Sequence, residues 1–405
     1  MSNIQMSPDL PPSVERSRGP WAAVTAFAFW AVMVGTTVPT ALYPLYKSQF
    51  AFGSLAVTIL FAVYAVGVVA GLLVFGRVSD QVGRKPVVFA AVLLAAVAAV
   101  VFLTAQGLPG LLVGRVLSGF SAALVTGAAT AGIMELFPLA RKGRAPIVTL
   151  LSNMGGLACG NLIAGLLAET GIAPLRLPWI VHGGLLLIAL ISQLFVPETV
   201  TVTGKLKLAP QKLHVPREIR GVFLRSAMTG GAGFAVLGVL TAVTGLLLAS
   251  ELHLTSPALT GFVVFLAFAC TALGQLVLRR MRPAIALPVA CSALILASAL
   301  VALAVLAASL TALLLAAVAT GFGTGIAIGS GMLAITTGAA PQLRGAAVST
   351  FFAILYGMLS LPAVGVGVLI QLSGLRVAGT TFAIVVALIA AGVLLSLTSQ
   401  KKAAE

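Results

Sequence analysis

About twelve apolar stretches, each near 20 residues long and almost free of charge, follow one another along this 405-residue chain. They begin near Trp21, Gly53, Pro86, Pro109, Ala145, Pro178, Gly221, Pro257, Pro283, Ser309, Gly345 and Leu375. A helix needs roughly 20 apolar residues to cross a bilayer core, and in hydrocarbon each backbone N–H and C=O must be satisfied within the segment itself. Charged residues make up only 8 % of the chain, where a soluble domain carries about a quarter. The pattern predicts an all-α membrane protein of twelve transmembrane helices.

The net charge of +15 could suggest a nucleic-acid partner, but its placement argues for topology instead. With the N-terminus inside, every Lys and Arg except Lys47, Arg176, Arg376 and Arg115 falls in a cytoplasmic tail, loop or linker. Such a bias orients a multi-pass protein with its basic loops in the cytoplasm. It predicts a cell-membrane protein with both termini cytoplasmic, in the inner membrane if the cell is Gram-negative, and no nucleic acid as partner. Cys159, Cys270 and Cys291 all fall in apolar runs without paired spacing, so they read as small buried hydrophobes rather than a disulfide or zinc framework.

The longest polar interruption divides the chain in two. Residues 1–20 read as a tail, 21–196 as a six-helix bundle, 197–217 as a cytoplasmic linker, 218–397 as a second bundle and 398–405 as a second tail. The halves echo each other. Leu111-Leu-Val-Gly-Arg-Val-Leu-Ser-Gly119-Phe120, then Pro138 and Lys142-Gly143, has a counterpart about 202 residues on in Thr320-Gly321-Phe322, Pro341 and Arg344-Gly345. An internal repeat of this kind is a common way to build a transporter.

The segment Gly76-Arg-Val-Ser-Asp80-Gln-Val-Gly83-Arg84-Lys85 is a short charged loop between the second and third apolar runs. It resembles the signature loop of major facilitator superfamily transporters, G-x-L-x-D-r-x-G-r-[RK], with Val78 in place of Leu. The resemblance implies two pseudo-symmetric six-helix bundles that alternately expose a central cavity. It also implies a latch in which Asp80 faces the N-terminus of the eleventh helix, where free N–H groups and the helix dipole favour a carboxylate. Glu135, at the cytoplasmic end of the fourth span, would bridge to Arg84. The plainer reading is a wet topological loop.

Arg115 is the only basic residue well inside a span, and an unpaired charge is costly there. Arg115 with Gly119 resembles the family pattern R-x-x-x-G, in which the arginine contributes to proton coupling or substrate charge; snorkelling to the outer surface is the alternative. Glu169 and Glu251 at outer helix ends are candidate partners, and His182 is the only histidine in a span. On the fifth span, Gly156, Gly160 and Gly165 resemble the antiporter pattern g-x-x-x-G-P-x-x-G-G, with Asn161 in place of Pro. That resemblance points to efflux, whereas small residues at this spacing also simply pack helices together. Gly119 and Gly321 are expected at helix contacts too. From helix and depth, Thr36, Thr40, Tyr64, Ser118, Asn153, Asn161, Thr241, Phe322, Thr324, Ser330, Phe351 and Tyr356 are expected to line a substrate cavity.

Enzymatic function finds no residues to carry it. No Gly-x-x-x-x-Gly-Lys-[Ser/Thr] phosphate loop and no His-Glu-x-x-His occurs, and Asp9 and Asp80 are the only aspartates. The expectation is a monomeric secondary transporter without cofactor or metal, whose partners are the bilayer, a small amphipathic solute and protons. Proton-coupled efflux is favoured, with proton symport of a sugar or organic acid as the alternative.

Overall fold

The computed structural model describes residues 12–76, 78–200 and 213–404. Arg77 of the signature loop, most of the expected linker and the outermost tail residues lie outside the described residues. Helices run over Pro12–Phe50 (α1), Ser54–Phe75 (α2), Arg84–Thr104 (α3), Leu108–Leu136 (α4), Ala145–Glu169 (α5), Leu177–Gln193 (α6), Arg220–Ser250 (α7), Pro257–Leu278 (α8), Pro283–Leu306 (α9) and Leu310–Gly338 (α10). The last helical stretch, Pro341–Ala404, breaks at Gly374 (φ 81°, ψ 168°). Only glycine adopts that conformation without strain, and it divides the stretch into residues 341–373 (α11) and 375–404 (α12).

Ten helical segments among the described residues, the broken one counted once, are long and apolar enough to cross a bilayer. α6 is the short one, with 17 residues spanning about 25 Å. Counting α11 and α12 apart and including α6, the described residues hold twelve apolar helices. Apart from α1, their starts fall within a few residues of the expected positions; Pro sits in the first turn of α4, α5, α6, α8 and α9, where its missing N–H costs nothing. α1 begins at Pro12, within the stretch expected as a tail, and its apolar, membrane-length part begins at Gly19.

The repeat is visible in the packing. α4 and α10 both have 29 residues and start 202 positions apart. A Cβ on Gly119 would lie 2.9 Å from the Gly67 Cα of α2, and one on Gly321 would lie 2.8 Å from the Cys270 Cβ of α8. Each glycine thus seats its helix on the equivalent neighbour. Between the bundles, α2 pairs with α11 and α5 with α8, again equivalent pairs. Large apolar side chains point outward from α3, α6, α9 and α12, among them Leu93, Val97, Ile188, Leu296 and Leu388. These faces meet lipid, and the inner helices α1 and α7 are the most enclosed.

Among the described residues, close glycine contacts seat bundle on bundle in the half of the molecule away from the basic loops. Gly165 stands against the Pro257 carbonyl and Gly261 against the Asn161 carbonyl, and Gly245 packs on the Pro44 ring. The halves nearer the basic loops part around a cavity.

Candidate functional site

The cavity, of about 320 Å³, runs from mid-membrane toward the basic face. α1 contributes Thr36, Thr37 and Thr40; α2 contributes Phe61, Tyr64, Val68 and Leu72; α5 contributes Thr149, Asn153 and Leu157. These spacings of three and four put one stripe of each helix on the cavity. The second bundle supplies Phe234 and Thr241 from α7, Thr271 and Gln275 from α8, and Tyr356 from α11. Tyr64 meets Tyr356 edge-on at 6.5 Å, and Phe234 meets Tyr356 at 5.9 Å, so an aromatic bridge joins the bundles. A second void of about 160 Å³, lined by Thr40, Tyr43, Lys47, Ser54 and Gly245, lies toward the opposite face. Thr40 borders both.

Arg115 is 1 % exposed and reaches the first cavity. Its Nη1 donates to the Thr36 carbonyl at 2.6 Å and its Nη2 to the Tyr43 hydroxyl. The guanidinium also lies 5.3 Å and 5.7 Å from the ring centres of Tyr43 and Tyr64, within cation–π range. Nε has no partner. Snorkelling is therefore not what this side chain does. Neither expected acidic partner meets it: Glu169 accepts from Ser256 Oγ and the Ala258 N–H, while Glu251 pairs with Arg376 at 2.9 Å. The partner it does find, Tyr43, has no sequence signal beyond its place on α1.

Several other candidate site residues, the coupling candidate His182 among them, sit elsewhere. His182 is buried between α6 and α1, donating from Nε2 to the Ala31 carbonyl at 3.0 Å, in a small void shared with Ser118 and Trp179. Ser118 bonds back to the Arg115 carbonyl. Thr324 and Ser330 bond within α10, and Thr324 packs on Gly233. Phe322 packs within the second bundle and Phe351 against Phe223 and Phe352. Asn161 offers its carbonyl to the α8 contact. Thr36, Thr40, Tyr64, Asn153, Thr241 and Tyr356 do line the cavity. In α5, Gly156 and Gly160 seat on the α1 backbone and Gly165 on α8, and Thr37 Oγ1 donates to the Leu157 carbonyl at 2.9 Å.

The signature loop is knitted into the first bundle. Asp80 pairs with Arg84, Arg84 lies 3.2 Å from Glu135 and donates to Ser79 Oγ at 2.8 Å, and Lys85 Nζ donates to the Leu194 carbonyl at 2.7 Å. Asp80 thus faces its own loop rather than the N-terminus of α11. Gly76 is in right-handed helical conformation, but Gly83 (φ 103°) is not, and a Cβ there would overlap the Glu198 carboxylate.

Glu198, expected only as a linker residue, is bonded into this loop. Its Oε1 accepts from the Arg84 N–H at 2.9 Å and its Oε2 from the Lys85 N–H at 3.1 Å, at the N-terminus of α3. Burial pushes its carboxyl up, but the N–H groups of Arg84, Val200, Thr199 and Lys85 outweigh that and hold it below the usual glutamate value. A lowered folded-state pKa means the stabilisation is complete above the ordinary value and lost as pH falls through the lowered one. The melting-temperature gap between wild type and Glu198→Gln should therefore hold steady above the ordinary glutamate pKa of about 4.3 and shrink as pH falls below it. A gap that stays constant would show the carboxylate has no capping role.

The family model described as Major Facilitator Superfamily matches residues 25–364. An uncharacterized MFS-type transporter of Mycobacterium tuberculosis is 28 % identical over 153 residues, 36 % of this chain and 26 % of that protein. The match thus spans about a quarter of the curated relative's length. Among solved structures, a bacterial homolog of the human lysosomal transporter Spinster, in an inward-facing, unoccupied conformation, superposes with TM-score 0.70 at 16 % identity, covering 97 % of this chain and 99 % of that one. The human organic anion transporter MFSD10 gives 0.64 at 17 %, with 95 % and 100 % covered. The nucleoside transporter NupG, as a point mutant, gives 0.67 at 13 %, with 94 % and 98 % covered. At these identities the likeness is one of fold.

Proposed function

The chain belongs to the Major Facilitator Superfamily, a family of membrane transporters rather than enzymes, and on that premise we propose that it moves a small amphipathic solute by alternating access, outward and in exchange for protons. The observation that carries this reading is the inter-bundle cavity. It has an aromatic and threonine wall and one buried guanidinium, and it is closed on one face by paired glycine contacts. Few polar groups on an apolar wall suit a solute with one polar end. The outward direction draws on the α5 glycine pattern. The basic face is taken as cytoplasmic, so reporter fusions at Gly204 and Lys402 should both report the cytoplasm, and an external signal from either would contradict the orientation.

In this cycle the signature loop changes partner. With the cavity reaching toward the basic face, Asp80 rests on Arg84; when that face closes, Asp80 meets the N-terminus of α11. Asp80→Asn should bias the protein toward the state with the basic face open, cutting transport by about tenfold, the order of one charge–dipole contact, at near-normal expression. Full transport with unchanged cysteine accessibility on both faces would leave the loop a topological signal only.

One observation favours a second reading. No carboxylate lines either cavity among the described residues, so the solute itself could carry the proton, as in symport of an organic acid. Proteoliposomes under an imposed pH gradient separate the two. Exchange predicts solute accumulation on the acidic side, symport on the alkaline side, and indifference to the gradient excludes both.

A further inference from the structure

We propose that the solute is an organic anion whose carboxylate docks on Arg115, an assignment that rests on the transporter reading above and names the substrate class of the same cavity. A guanidinium has five donors. Here Nη1 meets the Thr36 carbonyl and Nη2 the Tyr43 hydroxyl, both neutral acceptors. Nε is buried without a partner. The charge is therefore softened by two tyrosine faces but not neutralised, at a site 1 % exposed. A buried, unneutralised cation is costly, and an incoming carboxylate offers the planar, two-pronged acceptor that a guanidinium fork fits.

The rest of the path agrees in sign. The only other formal charge lining either void among the described residues is Lys47, beyond Tyr43 toward the opposite face. The acids at the helix ends are engaged elsewhere, Glu169 on α8, Glu251 on Arg376 and Glu135 on Arg84. A cation would find no carboxylate and two fixed positive charges lining this route among the described residues, and a neutral solute would leave Arg115 as it stands. Tyr64, Tyr356 and Phe234 then hold the apolar body of the anion, so the recognised class is a carboxylate with an aromatic or aliphatic tail.

The test uses the purified full chain and benzoate, phenylacetate and decanoate, each beside its primary amide and the corresponding amine. The carboxylates should raise the melting temperature, because a ligand that binds the folded state stabilises it; the amides and amines should not. Arg115→Gln should weaken carboxylate binding by about 10- to 100-fold, the scale of one charged hydrogen-bonded pair, and Arg115→Lys should restore part of it. Equal stabilisation by amides, stronger stabilisation by amines, or no effect from any carboxylate would overturn the assignment. Counterflow of the same compounds keeps the two readings apart. Carboxylates that bind without exchanging across the membrane would contradict transport but leave the site, whereas amides that exchange as fast as carboxylates would do the reverse.

From a different contact we infer that Glu169 latches the opposite face shut. Glu169 ends α5, and its Oε2 accepts from Ser256 Oγ at 2.8 Å and from the Ala258 N–H at 3.0 Å, at the N-terminus of α8 in the other bundle. One turn back, Gly165 lies on the Pro257 carbonyl. The pair α5–α8 is the repeat equivalent of α11–α2, so a carboxylate capping a helix across the bundles on this face mirrors the Asp80 contact proposed for the other. Glu251 is the matched control, since its partner Arg376 belongs to its own bundle.

Spin labels at Ile172 and Leu254, both exposed on this face, with Cys159, Cys270 and Cys291 replaced, would read the separation. Glu169→Ala should raise the ratio of long to short distances by about 3- to 30-fold, the range of a helix cap. Ser256→Ala should follow in part, and Glu251→Ala should leave the ratio unchanged. A Glu169→Ala distribution identical to wild type, or an equal shift in the Glu251→Ala variant, would contradict the latch.

Discussion

Arg115→Ala is expected to lower net transport by at least about 100-fold, equivalent to about 3 kcal/mol, while the protein still folds and inserts. The side chain is buried, reaches the cavity and bonds to two groups of α1. Its loss leaves the Thr36 carbonyl and the Tyr43 hydroxyl to cavity water and removes the one formal charge that lines this cavity among the described residues. A guanidinium stays protonated in proteins, so Arg115 does not itself carry the proton. Arg115→Lys keeps the charge without the planar fork and should retain a measurable fraction. Counterflow needs binding but no net proton movement. If Ala abolishes net transport and spares counterflow, the role is coupling; if both fall, it is binding. Normal transport by Arg115→Ala would remove the residue from the mechanism.

Gly119→Val should strongly destabilise the first bundle. A Cβ on Gly119 would lie 2.9 Å from both the Gly67 Cα and the Val68 N, which are backbone atoms of α2. Backbone cannot rotate aside as a side chain does, so the helices must part, at a cost of about 3 kcal/mol or more. Gly127, two turns further along α4, has nothing within 4 Å of its would-be Cβ, and Gly127→Ala should cost nothing or stabilise slightly. Thermal unfolding of the two variants in detergent checks the contrast. Equal melting temperatures would mean that α2 and α4 are not held by close backbone contact.

How far the sequence revealed this arrangement depends on which contacts leave a mark in residue type. Close backbone approach demands glycine, so Gly119 and Gly321 exposed the repeat, and Pro and basic residues at helix ends marked the spans. The Arg84–Glu135 contact was legible through the resemblance of the signature loop, which implies an acid at the end of the fourth span bridging to the loop's arginine. Orientation within a span was not. These helices are apolar almost all round, so nothing in the spacing of Thr324, Phe322 or Phe351 separates a cavity face from a packed one. An acid is the natural expectation beside Arg115, but its partners are a carbonyl and a phenol, which any span supplies. Glu198 carries no such mark, because its role lies in bonds to backbone N–H groups more than 110 positions earlier in the chain.

The central claim is that the inter-bundle cavity opens to each face in turn. Thr40 borders both voids, so a single cysteine there, in a background without the native three, reports access from either side. Membrane-impermeant thiol reagent applied to oriented vesicles should label Thr40→Cys from the basic face in the resting protein. It should label from the opposite face once a transported solute or a pH gradient drives turnover. Labelling from one face only, under every gradient and solute that supports transport, would contradict alternating access through this cavity.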